Sequence, residues 1–118
     1  MDAVDRVRAL LGEVGRDLEQ LRLASDGLAL IDVDGMWFVT YGGGYEGGGV
    51  DVELGREELL VQLADDLQTQ VSNYGGDPVW PVCPVHGFGL HPELDEDRGV
   101  WRCRPFAHSV GYIGQLCS

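Results

Sequence analysis

Val4, Val7, Leu11, Val14, Leu18 and Leu21 recur at steps of 3, 4, 3, 4 and 3, which places them on one face of a helix. The pattern predicts a helix from about Ala3 to Leu23. The same spacing is an a/d heptad pattern, so this face can pack on its own domain or form the seam of a homodimer through helix 3–23. Gly12 and Gly15 each weaken such a helix by about 1 kcal/mol relative to alanine. Ser25-Asp26-Gly27 predicts its end, with Gly27 suited to the left-handed conformation a C-terminal turn prefers.

The period then changes to two. Leu28–Val33 and Met36–Tyr41 are apolar, β-prone runs separated by Asp34-Gly35. A two-residue Asp-Gly connection predicts a hairpin, because both turn positions must tolerate positive φ. Bulky residues fall on both faces of this hairpin, so a helix is expected to cover one of them. Val50–Leu54 reads as a third strand. The intervening stretch, Gly42 to Gly49, is the one low-complexity segment and holds Tyr45 and Glu46. A phosphate cradle needs a helix directly after the glycines. Here a strand is expected to follow, and Glu46 would repel the anion. A flexible hairpin loop is therefore expected, with Tyr45 at its tip as an exposed recognition side chain.

Arg56–Tyr74 returns to the helical period, with Leu59, Leu60, Leu63, Leu67, Val71 and Tyr74 on one side. Glu57, Glu58, Asp65 and Asp66 are expected to face solvent, the two glutamates in the first turn where the helix dipole favours them. Asp65 and Asp66 are adjacent, so they point about 100° apart and do not converge as an acid–base pair. They are candidates for a charged interaction surface instead. Gly75-Gly76-Asp77-Pro78 marks the end of the helix and a linker.

These elements predict an α+β fold: an N-terminal helix, a three-stranded antiparallel sheet, a second helix and a C-terminal zinc-ribbon-like β-hairpin. Residues 1–79 would form an acidic α-β-β-β-α body, and residues 80–118 a small tail packed on it. A length of 118 residues suits one domain with an ordinary core. The N-terminal residues carry charges throughout and lack the apolar core of a secretory signal, and no apolar run is long enough to span a bilayer. A cytoplasmic location and no membrane association are the resulting expectations.

Charge sharpens the picture. The net charge is −12. Residues 1–79 hold 16 acids against 5 arginines, and residues 80–118 hold 4 acids against 3 arginines. Such a field disfavours nucleic acid and favours a basic protein partner.

The candidate chemistry lies in Trp80–Cys117, which contains all 3 cysteines and all 3 histidines. Cys83-Pro84-Val85-His86 has the two-residue spacing of a zinc knuckle, stiffened by Pro84 and followed by Gly87, which permits the chain to reverse. Cys103 and His108 form a looser second pair. Phe88–Leu94 and Gly99–Arg102 are expected to be strands joined by a turn at Asp95–Arg98, the layout of a zinc ribbon. Trp80, Trp101, Phe88 and Phe106 would supply an apolar shell. Cys83, His86, Cys103 and His108 are the candidate ligands of a structural Zn2+, with Cys117 as the alternative fourth ligand. His91, before Pro92, is expected to be exposed. An odd cysteine count in a reducing compartment favours ligation over a disulfide framework.

At these residues, Trp80-Pro-x-Cys83-Pro-x-His86-Gly, Leu90-x-Pro92, Trp101-x-Cys103 and Ile113-Gly114-x-Leu116, the chain resembles the C-terminal segment of small uncharacterised proteins of high-GC Gram-positive bacteria. The resemblance covers about the last third of the chain and implies a zinc-ribbon-like tail, with no activity attached.

Three functions follow as alternatives. The first is a non-enzymatic acidic zinc-binding protein acting through protein–protein interaction, as an inhibitor or immunity-type partner or an accessory subunit. The second is a nucleic-acid-binding zinc-ribbon regulator, for which only Arg98, Arg102 and Arg104 offer basic footing. The third is a small zinc-dependent hydrolase. It would need an open metal position and a nearby base such as Glu93, His91 or His108, and no hydrolase signature is present.

Overall fold

The computed structural model describes residues 3–17, 28–41, 44–45, 49–75 and 81–115. It is an α+β protein with two helices and two antiparallel sheets, in the order α1 (Ala3–Gly15), β1 (Leu28–Val33), β2 (Met36–Tyr41), β3 (Gly44–Tyr45), α2 (Arg56–Gly75), β4 (His91–Asp95), β5 (Arg98–Cys103) and β6 (His108–Tyr112). The sheets run β1-β2-β3 and β4-β5-β6.

α1 buries Val7, Leu10, Leu11 and Val14. Val7, Leu11 and Val14 of the heptad stripe thus lie in the chain's own core, while Leu18, Leu21 and the Ser25–Gly27 stop lie outside the described residues. α2 buries Leu59, Leu60, Leu63, Ala64 and Leu67 at helical spacing and packs on α1, β2, β4 and β5. One cluster of buried side chains runs from these two helices through Leu30 and Val39 to Leu90, Trp101, Cys103 and Ile113. The residues expected to form a tail thus share the core of the body.

The first hairpin has the register Asp-Gly chemistry dictates. Val33 faces Met36 across Asp34 and Gly35, whose φ values are 54° and 86°. The third strand falls elsewhere than expected. It is the pair Gly44–Tyr45, which bonds to Tyr41 and Thr40, so the Tyr45 backbone is a strand residue and not a loop tip. Val50–Leu54 contributes only one bridge, Val50 N–H to Trp37 O at 2.7 Å.

Side chains explain why that segment does not continue as a strand, since its backbone groups find other partners. The Arg6 guanidinium donates to Val52 O and Leu54 O at 2.9 and 2.6 Å. Gln62 accepts the Asp51 N–H at 2.9 Å, and the Asp51 carboxylate takes the Glu53 N–H at 3.0 Å.

The second sheet begins later than expected. Phe88 precedes β4, and the β4–β5 turn is the two residues Glu96 and Asp97, at φ 48° and 66°. β6 adds a third strand along β5, with a register irregularity at Trp101 and Arg102.

Two polar joints fasten this sheet to the helices. Asp17, fully buried just past α1, accepts the Trp101 indole N–H at 2.6 Å and the Gly114 N–H at 2.7 Å on one carboxylate oxygen. Glu57, expected to face solvent, instead accepts the Gly99 N–H at 2.9 Å and pairs with Arg56 and Arg98 at 2.6 and 3.3 Å. Burial pushes its carboxyl upward, but the Gly99 N–H and the two guanidinium groups outweigh that, so its pKa lies below the ordinary value.

Candidate metal centre

The first knuckle is the tip of a narrow loop. Val82 and Gly89 form a bridge, Cys83 N–H bonds to Phe88 O at 2.8 Å, and Leu90 N–H to Pro81 O at 2.8 Å. Within it the Gly87 N–H reaches back to Cys83 O at 2.9 Å, and Gly87 takes φ 76° to let the chain reverse. Val85 and His86 direct their backbone N–H groups at the Cys83 sulfur.

The second pair is built differently. A 3-10 turn at Arg104–Phe106 follows Cys103, Ala107 adopts the left-handed conformation at φ 49°, and the chain enters β6 at His108. Cys103 and His108 are cross-strand partners. Directly opposed residues on one antiparallel face hold their Cβ atoms about 5 Å apart, which is why a five-residue step serves here where the knuckle needs three. The position equivalent to His86 is occupied by Phe106, whose backbone N–H points at the Cys103 sulfur. Its ring stacks on His86 with centroids 3.7 Å apart and planes within 5°. Phe106 therefore fixes the orientation of the imidazole from outside.

The donor atoms converge. Cys83 Sγ lies 3.3 Å from His86 Nδ1 and 3.9 Å from His108 Nδ1, and Cys103 Sγ lies 3.6 Å from His86 Nδ1. The ligand atoms of Cys83, His86 and His108 all lie within 4.8 Å of one another, so this group can hold a metal ion; the Cys103 sulfur is not part of that group, although it lies 3.6 Å from His86 Nδ1. A tetrahedral ion with metal–sulfur bonds of about 2.3 Å and metal–nitrogen bonds of about 2.0 Å separates sulfur and nitrogen ligands by about 3.5 Å. The three measured spacings bracket that value. Cys83 and Cys103 are both free and buried.

Electrostatics divides the two thiols. Burial pushes both upward. At Cys83 the N–H groups of His86 and Val85, together with the Cys103 thiol, outweigh burial and bring its pKa below the ordinary thiol value. At Cys103 burial and the adjacent Cys83 charge act together and raise it. A buried pair in which one thiolate obstructs the next is stabilised in its doubly ionised form by a bound cation.

Other expected residues fall outside the cluster. Cys117 and Trp80 lie outside the described residues. His91 opens β4 opposite Arg102 and is half-buried. Trp101 is fully buried in the shared core with its indole nitrogen committed to Asp17, so it braces the cysteine-bearing strand from the core side and is not an outer shell. Asp65 is exposed, but Asp66 is half-buried. Burial, and then the charge of Asp65, push the Asp66 carboxyl up to about 6. Sequence reasoning missed Asp17, which sits between Val14 and Leu18 inside the expected helix and reads there as one more surface charge.

The chain matches no protein-family model, no curated protein and no solved structure. No helix among the described residues is long and apolar enough to cross a membrane.

Proposed function

We propose that the chain is a non-enzymatic, acidic zinc-binding protein whose Cys83–His86–Cys103–His108 centre ties the Cys83–His86 loop to β5 and β6 within a zinc-ribbon-like segment packed on the helical body, and which acts by binding another protein. The observation that carries the metal reading is the spacing of sulfur and nitrogen donors at tetrahedral distances. The N–H groups aimed at both sulfurs support it further, since such bonds orient and stabilise thiolate ligands. Two thiolates and two imidazoles favour Zn2+ over the hard cations. With Cys103 drawn in as the fourth protein ligand, the tetrahedron would be complete and leave no position for a substrate or a water, which favours a structural role over a hydrolytic one.

The interaction reading rests on surface chemistry. The knuckle tips present Val85, Phe88 and Phe106 at 72%, 50% and 52% exposure, on a chain of net charge −12. An exposed apolar cluster of this kind suits a protein contact. The ribbon arginines do not suit nucleic acid. Arg98 pairs with Glu57 and lies over the Tyr112 ring, Arg102 stands near Glu93 and Asp95, and Arg104 pairs with Glu93.

Metal analysis of the purified protein tests the first half. Wild type retains one zinc per chain and Cys103→Ser loses it; equal zinc in both refutes the site. Retention in His108→Ala together with loss in Cys117→Ser would transfer the fourth position to Cys117. A pull-down at low and high salt tests the second half, and failure to recover a stoichiometric protein partner at either would overturn it.

A further inference from the structure

The edge of the first sheet carries a second, independent reading. Val33 and Met36 flank a two-residue turn with positive φ at both positions, so they form the hydrogen-bonded pair that closes it. Bonding alternates along an antiparallel ladder, so Ala29, Ile31 and Val33 turn their N–H and C=O groups toward β2. The partner strand confirms the phase, because the Trp37 carbonyl points away from β1 to reach Val50. Leu28, Leu30 and Asp32 therefore direct their backbone groups out of the sheet. Among the described residues these groups have no hydrogen-bond partner, although Leu30 is only 8% exposed. Beside this edge runs a groove of about 360 Å3 between α1 and β1, lined by Arg8, Leu11, Gly12, Leu28, Ala29 and Leu30.

A row of unpaired backbone groups along an apolar groove is a template for one more strand. We propose that this strand is β1 of a second copy of the chain, joined antiparallel so that two β1 edges make one continuous sheet across a two-fold axis. Two features favour a second copy. The outward-facing residues are self-complementary: centred on Leu30, each Leu30 exchanges both backbone bonds with the partner's Leu30, and Leu28 exchanges with the partner's Asp32. No like charges then stand opposite one another on the strands.

The exposed side of α1 is self-complementary as well. Asp5, Ala9 and Gly12 are exposed on one face of α1, and Arg16, exposed in the 3-10 turn directly after it, extends that line by one further step of four residues. In an antiparallel helix pair centred between Ala9 and Gly12, Asp5 meets the partner's Arg16, and Ala9 meets the partner's Gly12. A side chain at Gly12 would meet nothing within 4 Å in the single chain, so the space for a close approach is present. Gly12 and Leu30 line the same groove, and one axis can therefore serve both contacts. This interface uses the face of α1 opposite to its heptad stripe.

Sedimentation equilibrium of the zinc-loaded protein tests the assignment. Wild type is expected to associate reversibly to twice the 12.9 kDa chain mass. Asp5→Arg or Arg16→Asp alone should weaken association about tenfold or more, and the double variant should restore it, with zinc content unchanged in all three. Amide exchange gives an independent readout. The Leu30 and Asp32 amides should be protected at high protein concentration and exposed on dilution, whereas the Ile31 amide is protected at both. A chain that stays monomeric at millimolar concentration overturns the proposal, as does a dimer indifferent to both charge reversals. Protection of the Leu30 amide by another protein's strand, without self-association, would overturn the assignment to a second copy. None of these outcomes alters the zinc reading, which the metal content reports separately.

Discussion

Replacing Asp17 by alanine tests how the helical body is joined to the cysteine-bearing strand. One carboxylate oxygen receives the Trp101 indole N–H at 2.6 Å and the Gly114 N–H at 2.7 Å, and Asp17 and Trp101 are both fully buried. Hydrogen bonds to a charged group contribute about 1.5–3 kcal/mol each, and a buried donor left unpaired costs about 1–3 kcal/mol. Removing the carboxylate also relieves its own burial, so the net loss for Asp17→Ala is about 3 kcal/mol, a large part of the roughly 5–15 kcal/mol a domain holds. For a chain of this length that is a fall in Tm of about 10 °C. Asp17→Asn keeps an acceptor and loses the charge, and is expected to cost about half as much.

The assay is urea unfolding in excess zinc, followed by tryptophan fluorescence, in which the midpoint falls while the slope is unchanged. Trp101→Phe removes one of the donors described at this oxygen, so the cycle with Asp17→Asn should show a coupling of about 1 kcal/mol. A loss below about 0.5 kcal/mol for Asp17→Ala, or additive effects in the cycle, would refute this account of the joint.

Three further outcomes follow from the same structure. Glu57→Gln removes the attraction of Arg56 and Arg98 and should cost about 1 kcal/mol at neutral pH, solvent screening holding the figure down. Because the folded pKa of Glu57 is depressed, this contribution is present above the unfolded value and lost as pH falls through the folded one; urea midpoints of wild type and variant should converge as the pH is lowered past the ordinary carboxylate range. Asp66 has the opposite sign: its folded carboxyl sits at about 6 against an ordinary 3.8, so its stabilisation is present below the lower value and lost as pH rises through the upper. Asp66→Asn should therefore raise stability at pH 7 by about 1 kcal/mol after screening, and should gain less than wild type on acidification to pH 5. Gly114→Ala places a methyl 2.9 Å from the Glu13 carbonyl oxygen at a φ of 92°; a loss of about 2 kcal/mol or more is expected in thermal unfolding.

The parts of the fold legible in the sequence are those with a local cause. Asp34-Gly35 set the first hairpin and its register, because few other residue pairs accept positive φ twice in succession. The apolar periodicity of α2 was equally local. The turn expected at Asp95–Arg98 is present, and Glu96-Asp97 makes it with positive φ at both positions and without glycine. Val50–Leu54 has strand composition, yet its hydrogen bonds go to Arg6 and Gln62, partners that only the tertiary fold brings near. Glu57 read as a solvated charge for the same reason. In the candidate centre, Cys83 and His86 were visible as a knuckle, whereas the Cys103–His108 step looked irregular. Cross-strand pairing gives that step a physical basis, and pairing between strands is not a property of sequence spacing alone.

The central claim is a closed tetrahedral centre of two sulfurs and two nitrogens. Zinc X-ray absorption on the purified protein tests it most directly. The account predicts two sulfur neighbours at about 2.3 Å and two imidazole nitrogens at about 2.0–2.1 Å, with the imidazole signature lost stepwise in His86→Ala and His108→Ala. An oxygen neighbour in wild type would mean an open position and a catalytic type of site, and a shell with fewer than two sulfurs would contradict the account.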